Sequence, residues 1–400
     1  MHIGLCSPHW PPGEGANGIV SYVAAVREHF VAQGHLVSVI SRNRSHSSDG
    51  TTLELGTGLL ASSAYRIDRR LNRSPGTLPH IARAVGREIA ELHRLRPLDI
   101  VEMEESFGWS AVVGRRIAVP VVTRLHGPHF LKPASHRTAL QEREDRSRCE
   151  AEAHAVRSAP FLTAPTRAVM ESTCDRCGRS RDQPSAVIPN PIKVDSHAPQ
   201  WSLADCERDH ILMVGRFDFV KGADTLLAAF GLLLDVRPSA RLTIVGPDFG
   251  IETTPGKRLN FDAYVRANLS PQARERITFT GLLRPEEIRP LRLKANVTVA
   301  SSRTETFGYV LVEAMAAGSP LISTDWPGSE ELIVHRKTGL LTPVADPDAM
   351  ARNLEWLLAN PEAAAQMGAA GKRRCSDTFS VDLVGNRLLD CYEATIRAVA

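Results

Sequence analysis

The segment of this 400-residue chain with the most chemistry in it is SSRTETFGYVLVEAMAAGSPLISTD, positions 301–325. Glu313 lies within YVLVEAMAAG, a run of helical period that is apolar on nearly every side. Such a helix is expected to be buried, and a buried carboxylate needs a partner. An ion pair to a nearby arginine would satisfy that need without any function, but the surroundings point further. Glu305 falls in the loop after the strand-like run NVTVAS, and Glu313 about one and a half turns into the helix that follows, so both carboxylates are expected at the border of one strand-to-helix cleft. Between them Thr306, Phe307 and Gly308 form a turn whose free amides and helix dipole suit a phosphate. Carboxylates for hydroxyls beside amides for phosphate fit a nucleotide sugar.

A second element is HILMVGRFDFVKGADTL, positions 210–226, in which a strand ends at Gly215 and presents Arg216 and Lys221. Two cations beside a helix start suit a diphosphate, arginine by its planar fork and lysine as a point charge, and Gly222 allows close backbone approach. Stabilising a departing anion is the role this implies. Near the N-terminus, HWPPGEGANGIVSYV (9–23) sets Gly13, Gly15 and Gly18 between a strand and a helix, a loop able to cradle phosphate, with Asn17 beside it. It lacks the G-x-G-x-x-G spacing and the acidic residue ~20 positions later, so a dinucleotide cofactor is not expected. His126 follows the strand-like VPVVTRL, and Glu104 and Glu105 follow DIVEM, where an acceptor or plain solvent would be met. Cys174 and Cys177 form a lone C-x2-C without the further ligands a zinc site requires, so no metal and no cofactor are expected.

These residues need a scaffold of strands ending in loops, and the chain alternates accordingly. Strand-like runs at 2–7, 35–41, 99–103, 119–125 and 161–165 are separated by helical segments, which predicts a parallel sheet covered on both faces. The pattern lapses into a Pro-rich polar stretch and then restarts at 210–215, 241–246, 276–281, 296–301 and 320–325, with helices near 221–235 and 258–268. The division expected is a first Rossmann-like domain over 1–190, a linker over 191–209, a second over 210–378, and a closing helix over 379–400. The fold class is α/β, two doubly wound domains facing across a cleft, the place where open parallel sheets bind ligands.

Composition excludes other classes. The net charge of +3, from 48 Lys+Arg against 45 Asp+Glu, gives no field for a nucleic-acid partner. The longest apolar run, LLAAFGLLLDV at 226–236, falls short of the ~20 residues that cross a bilayer, and no leader pattern opens the chain, so a cytoplasmic location is expected. Residues 61–190 carry 21 Lys+Arg against 15 Asp+Glu, a surplus that fits a solvated surface or a peripheral membrane contact.

Taken together the motifs resemble the retaining GT-B glycosyltransferases of glycosyltransferase family 4, the glycosyl transferases group 1. The likeness runs through the N-terminal glycine loop, the element at Gly34–Val37, IPNP at 188–191, GRFDFVKG at 215–222, the Glu305/Glu313 pair and HRKTGLL at 335–341. It extends to FSVDLVGNRLLDCY at 379–392, which is similar to the family's last helix, the one that crosses back onto the first domain. The resemblance implies transfer of a sugar from a nucleoside-diphosphate sugar to a hydroxyl of a glycan, lipid or small metabolite, with retention and without an essential metal. It implies that Glu313 binds the donor ribose, Glu305 the sugar hydroxyls, and Arg216 and Lys221 the diphosphate. The amides of Phe307 and Gly308 would support the phosphates, His126 would lie near the reacting carbon, and Gly18 at a phosphate-facing helix start. Trp326–Glu331 departs from the family's usual Gly-Gly segment. The alternatives are a sugar synthase or phosphorylase of the same fold and a non-catalytic sugar-nucleotide-binding protein.

Overall fold

In a computed structural model the described residues are 1–12, 17–41, 44–54, 79–131, 139–195, 197–254 and 256–399, which leaves the candidate loop residues Gly13 and Gly15 outside the described residues. The chain divides into two compact units, Met1–Pro191 with Val381–Ala400, and Ile192–Ser380.

The first unit contains β1 (His2–Cys6), α1 (Gly18–Ala32), β2 (Leu36–Ser41), β3 (Arg44–Ser47), β4 (Thr52–Glu54), α2 (Pro79–Leu95) and β5 (Ile100–Glu104). It continues through α3 (Trp109–Gly114), β6 (Val121–Arg124), α4 (Ala139–Ser158), β7 (Phe161–Ala164), α5 (Arg167–Cys177) and β8 (Ser185–Val187). Among the described residues these strands form one sheet in the order β4-β3-β2-β1-β5-β6-β7-β8. It is parallel from β2 to β8, while β3 and β4 extend it as antiparallel edge strands that the sequence pattern did not reveal. Ile3, Leu5, Ile100, Val101 and Val122 are wholly buried, as expected of strands covered on both faces.

The second unit contains β9 (Glu207–Val214), β10 (Phe217–Asp218), α6 (Ala223–Val236), β11 (Arg241–Val245), β12 (Asp248–Thr254), β13 (Lys257–Leu259), α7 (Phe261–Asn268), α8 (Pro271–Glu275) and β14 (Ile277–Phe279). Then follow α9 (Pro285–Lys294), β15 (Ala295–Ala300), α10 (Tyr309–Ala317), β16 (Leu321–Thr324), α11 (Ser329–Leu332), β17 (Leu340–Thr342), α12 (Pro347–Ala359) and α13 (Pro361–Phe379). Its main sheet is all parallel, in the order β14-β11-β9-β15-β16-β17, and β10, β12 and β13 make a small second sheet. The helix read near 258–268 begins only at Phe261, where the Asn260 side chain caps it, because β13 occupies the residues before. The stretch read as a linker packs within this unit: the Trp201 indole N–H donates to the Ala295 carbonyl at 2.7 Å, and its backbone N–H to that of Ala317 at 2.9 Å.

The last helix, α14 (Val381–Val399), belongs to the first unit. Its Tyr392 hydroxyl donates to the buried Glu102 carboxylate at 2.9 Å, and Asp382 and Asn386 hold the two ring nitrogens of His29 at 3.1 and 2.9 Å. On the neighbouring strand β6, the fully buried Arg124 sends one guanidinium nitrogen to Asn190 Oδ1 at 2.7 Å and to the Ile188 carbonyl at 3.0 Å. That gives the IPNP segment a physical role as the acceptor for a buried charge. No helix among the described residues is long and apolar enough to cross a membrane. Cys174 and Cys177 both lie on the buried face of α5, in one core cluster with Val169 and Met170.

A β-carbon on Gly385 would stand 2.2 Å from the His29 ring, which its hydrogen bonds hold in place. Gly385→Ala should therefore lift α14 from α1 and lower stability by on the order of 2 kcal/mol, read from the denaturant midpoint, whereas Asn386→Ala should cost less.

Candidate functional site

In the second unit, β9 and β15 are neighbours at the middle of the sheet, and Val299 pairs with Met213 close to their carboxyl ends. The loops that leave these ends carry Arg216 and Lys221 on one side and Glu305 and Gly308 on the other. Gly222 has φ 65°, and a β-carbon there would sit 1.9 Å from the Ser301 carbonyl oxygen, so the two loops cross in direct backbone contact. Lys221 Nζ forms a close ion pair with Glu305 Oε1. Ser302 Oγ donates to the same oxygen at 2.7 Å, and Ser301 Oγ donates to the Lys221 carbonyl at 2.9 Å. Met213, Val214, Ala300 and Leu311 complete a small pocket around Lys221, Ser302, Glu305 and Gly308. Gly308 caps the start of α10, whose free amides open there.

Arg303 fastens this arrangement. Its guanidinium reaches both oxygens of Asp224 at 2.7 Å and the Phe219 carbonyl at 2.7 Å, and lies 3.8 Å from the centre of the Phe219 ring. Its backbone N–H donates to the Val220 carbonyl at 2.8 Å. The loop that bears Glu305 is thus tied to the loop that bears Lys221 at both side-chain and main-chain level.

The other candidates in this unit sit around that centre. Arg216 is paired with Asp218 at 2.7 Å, and the second oxygen of Asp218 accepts the Lys221 N–H at 2.7 Å, so one carboxylate orders both cations of the motif. Gly215 continues β9, its N–H donating to the Val245 carbonyl at 2.8 Å. Phe307 is a core side chain packed edge-on against Tyr309 and Phe379, while Thr306 is half-buried. Glu313 corrects one expectation. Its side chain is 40% exposed rather than buried, and its partner is Arg292 of α9 at 2.7 Å, itself only 7% exposed. Because α10 buries Leu311, Val312, Ala314 and Met315, its apolar composition predicted burial all round, but the side that bears Glu313 meets α9 and solvent.

In the first unit, His126 follows β6, with its ring edge-on to Tyr22 at 4.9 Å. Burial, and then the charge of Arg124, hold its imidazole well below the usual histidine range, so it is neutral near pH 7. Glu105, placed by sequence where an acceptor would be met, is 1% exposed and turned inward. Its oxygens accept the backbone N–H groups of His126 at 2.8 Å and Gly127 at 3.0 Å. Burial, then Glu152, push its carboxyl up to about 8. Glu104 ends β5 half-buried, with Oε2 enclosed and without a hydrogen-bond partner among the described residues, and burial pushes it up to about 7 against the opposing pull of Arg148. Gly18 opens α1, and Asn17 is its N-cap: Oδ1 accepts from Ile19 N–H at 2.9 Å. The side-chain oxygen of Asn17 is therefore engaged in holding the helix start.

Sequence reasoning missed Ser302, Arg303, Asp218, Arg292 and Glu152. Asp218 lay inside a motif already singled out, and Ser302 and Arg303 flanked Glu305. The positions of Arg292 and Glu152 gave no local signal, since each acts on a residue more than 20 positions away.

Comparison with known proteins followed the same lines. The family model for Glycosyl transferases group 1 matches residues 199–374, and that for Glycosyltransferase Family 4 matches residues 16–196. A D-inositol 3-phosphate glycosyltransferase of Jonesia denitrificans is 28% identical over 97% of this chain and 94% of its own length. The enzyme of that name from Corynebacterium diphtheriae is 24% identical over 91% and 87%. Among solved structures, the sucrose-phosphate synthase of Thermosynechococcus elongatus has a TM-score of 0.76 at 23% identity, covering 99% of both chains. Anabaena HepE in complex with UDP-glucose has a TM-score of 0.67 at 15% identity, covering 98% of this chain and 100% of that one. The fold is GT-B.

Two outcomes follow from the geometry. Arg303→Met should lower the stability of the second unit by on the order of 2 kcal/mol in denaturant unfolding, and Arg303→Lys should recover only part, since lysine has no fork to meet both Asp224 oxygens. Glu104 and Glu105 have folded-state values raised above the unfolded carboxylate range, so the folded chain binds more protons than the unfolded one between about pH 4 and 8. The contribution of these groups to stability should therefore be fully present below pH 4 and be lost as pH rises toward 8, and Glu104→Gln should flatten that slope in unfolding midpoints taken at pH 5.5, 7 and 8.

Proposed function

Since the chain belongs to glycosyltransferase family 4, the glycosyl transferases group 1, and is a glycosyltransferase, we propose that it moves a sugar from a nucleoside-diphosphate sugar to an acceptor hydroxyl, with retention and without a metal ion. The observation that carries this reading is the Lys221–Glu305 pair, held by Ser302 at the start of α10. A cation, a carboxylate and free helix amides within one pocket match a diphosphate joined to a polyhydroxyl ring.

In this reading Arg216 and Lys221 neutralise the departing diphosphate, aided by the Phe307 and Gly308 amides. Glu305 receives sugar hydroxyls, and Glu313, reachable and oriented by Arg292, receives the ribose hydroxyls. His126, neutral near pH 7, offers a hydrogen bond to the transferred sugar. Gly18, at the start of α1, is assigned to the donor phosphates in the same reading. The bond between the anomeric carbon and the phosphate oxygen breaks, the acceptor oxygen bonds to that carbon on the same face, and the acceptor proton passes to the leaving phosphate. No protein base is then required, and two side-chain cations supply the charge that a metal would otherwise bring.

Of the two neighbouring carboxyls the reading assigns Glu104 to the acceptor, because Glu105 is engaged by the backbone amides of His126 and Gly127. The relatives' name supplies D-inositol 3-phosphate as the first acceptor to try. The reading includes a cytoplasmic location, with peripheral membrane contact if the acceptor is a lipid.

A thermal-shift panel of UDP, GDP, ADP, dTDP and NADH, with and without EDTA, tests it on wild type and Glu313→Ala. One nucleoside diphosphate at ~100 times its dissociation constant should stabilise the wild type by roughly 2.7 kcal/mol, independently of EDTA and not the variant. Turnover of Glu313→Ala should fall at least ~100-fold with the fold intact. A shift with NADH alone, or with no nucleotide, would overturn the reading.

A further inference from the structure

Behind His126 lies a pair of buried carboxylates whose partners are backbone amides. Glu105 receives the N–H groups of two consecutive residues, His126 and Gly127. Glu152, wholly buried on α4, receives the N–H of His129 at 2.6 Å and that of Phe107 at 3.2 Å, and pairs with Arg148 Nε at 2.7 Å. The loops after β5 and β6 are thereby stapled at four amides by two side chains. The stapling holds an unfavourable conformation: Phe107 has φ 58°, and a β-carbon on the adjacent Gly108 would stand 2.3 Å from the Ala151 carbonyl oxygen. Arg148 closes over the Phe107 ring at 4.0 Å.

Burying two carboxylates this close together is unfavourable unless each is fully hydrogen-bonded. An apolar side chain at position 105 would leave two amides unsatisfied, so the carboxylate fixes the backbone at the residue that bears the imidazole. The ring of the same residue is fixed independently from the side by the edge contact with Tyr22, whose own ring lies 4.3 Å from the Arg124 guanidinium. Backbone and ring of one histidine are thus each constrained by a separate buried group.

We propose that Glu105 is the positioning residue of His126: from the end of β5 it fixes the loop after β6 so that the imidazole is presented in one orientation, while Glu152 fixes the continuation of that loop from α4. The proposal rests on the reading that His126 serves the sugar transfer. Glu105 touches no substrate and acts only through the amides of 126 and 127.

The test pairs two readouts on the full chain. Hydrogen exchange of the peptide spanning 124–129 is followed by mass spectrometry in wild type and Glu105→Gln, and slow hydrolysis of UDP-glucose, GDP-mannose and ADP-glucose is measured for wild type, Glu105→Gln, His126→Ala and the double variant. Exchange of that peptide should rise at least ~10-fold in Glu105→Gln, and hydrolysis should fall about 10-fold. Adding Glu105→Gln to His126→Ala should cost less than a further 2-fold. Unchanged exchange overturns the proposal, and so does an additive loss in the double variant, which would show an effect that bypasses the histidine. If Glu105→Gln does not fold, Glu105→Asp, which keeps the carboxyl but shortens the reach, is judged by the same criteria. If wild type turns over none of the three donors, the exchange measurement alone decides whether Glu105 holds the loop, and the functional reading stands or falls on the nucleotide panel.

Discussion

The second unit is organised around the crossing of two loops. Gly222 passes so close to the Ser301 carbonyl that no side chain fits between them, and this contact sets how closely the loops after β9 and β15 approach each other. Lys221, one residue before the crossing, and Glu305, four residues beyond Ser301, are brought into an ion pair by it. Arg303 then makes the crossing rigid through Asp224, the Phe219 carbonyl and the Phe219 ring. Preorganised charge of this kind is what a departing anion requires, because nothing then has to reorganise when the bond breaks.

The first unit solves a different problem by similar means. Its loop after β6 bears a neutral, buried imidazole, and loops are held poorly by apolar packing alone. Buried carboxylates supply the missing constraint through backbone amides, at Glu105 and Glu152. Buried charge recurs further down the sheet, where Arg124 binds Asn190 and the carbonyls of the IPNP segment, and where Glu102 receives the Tyr392 hydroxyl. That last bond secures α14, the final helix of the chain, to the unit formed by its beginning.

Much of this was legible beforehand. The alternation of strands and helices located β1, β2, β5, β6, β7, β9, β11, β14, β15 and β16, because parallel strands buried on both faces are continuous apolar runs. Lys221 and Glu305 were legible as a pair since each follows such a run directly, and a strand end followed by a helix start is a position of known chemistry. The strands β3, β4, β8 and β17 and the small sheet of β10, β12 and β13 were not, because strands of two to four residues, or of mainly polar ones, lack a continuous apolar run. Glu313 was found but misjudged: periodicity reports the composition of a helix, not which neighbour leaves a gap.

Sequence by itself determined the order of elements, the two Rossmann-like repeats and the residue types gathered at the strand ends, since these depend on period and local propensity. Tertiary structure alone decided which charges are paired and which remain free. Glu105 and Glu104 are adjacent and chemically identical, yet one is spent on the amides of His126 and Gly127 and the other keeps an unpartnered oxygen. That difference arises because successive residues of a strand point to opposite sides and the chain turns there into a loop, so each carboxylate meets groups distant in sequence that no local pattern encodes.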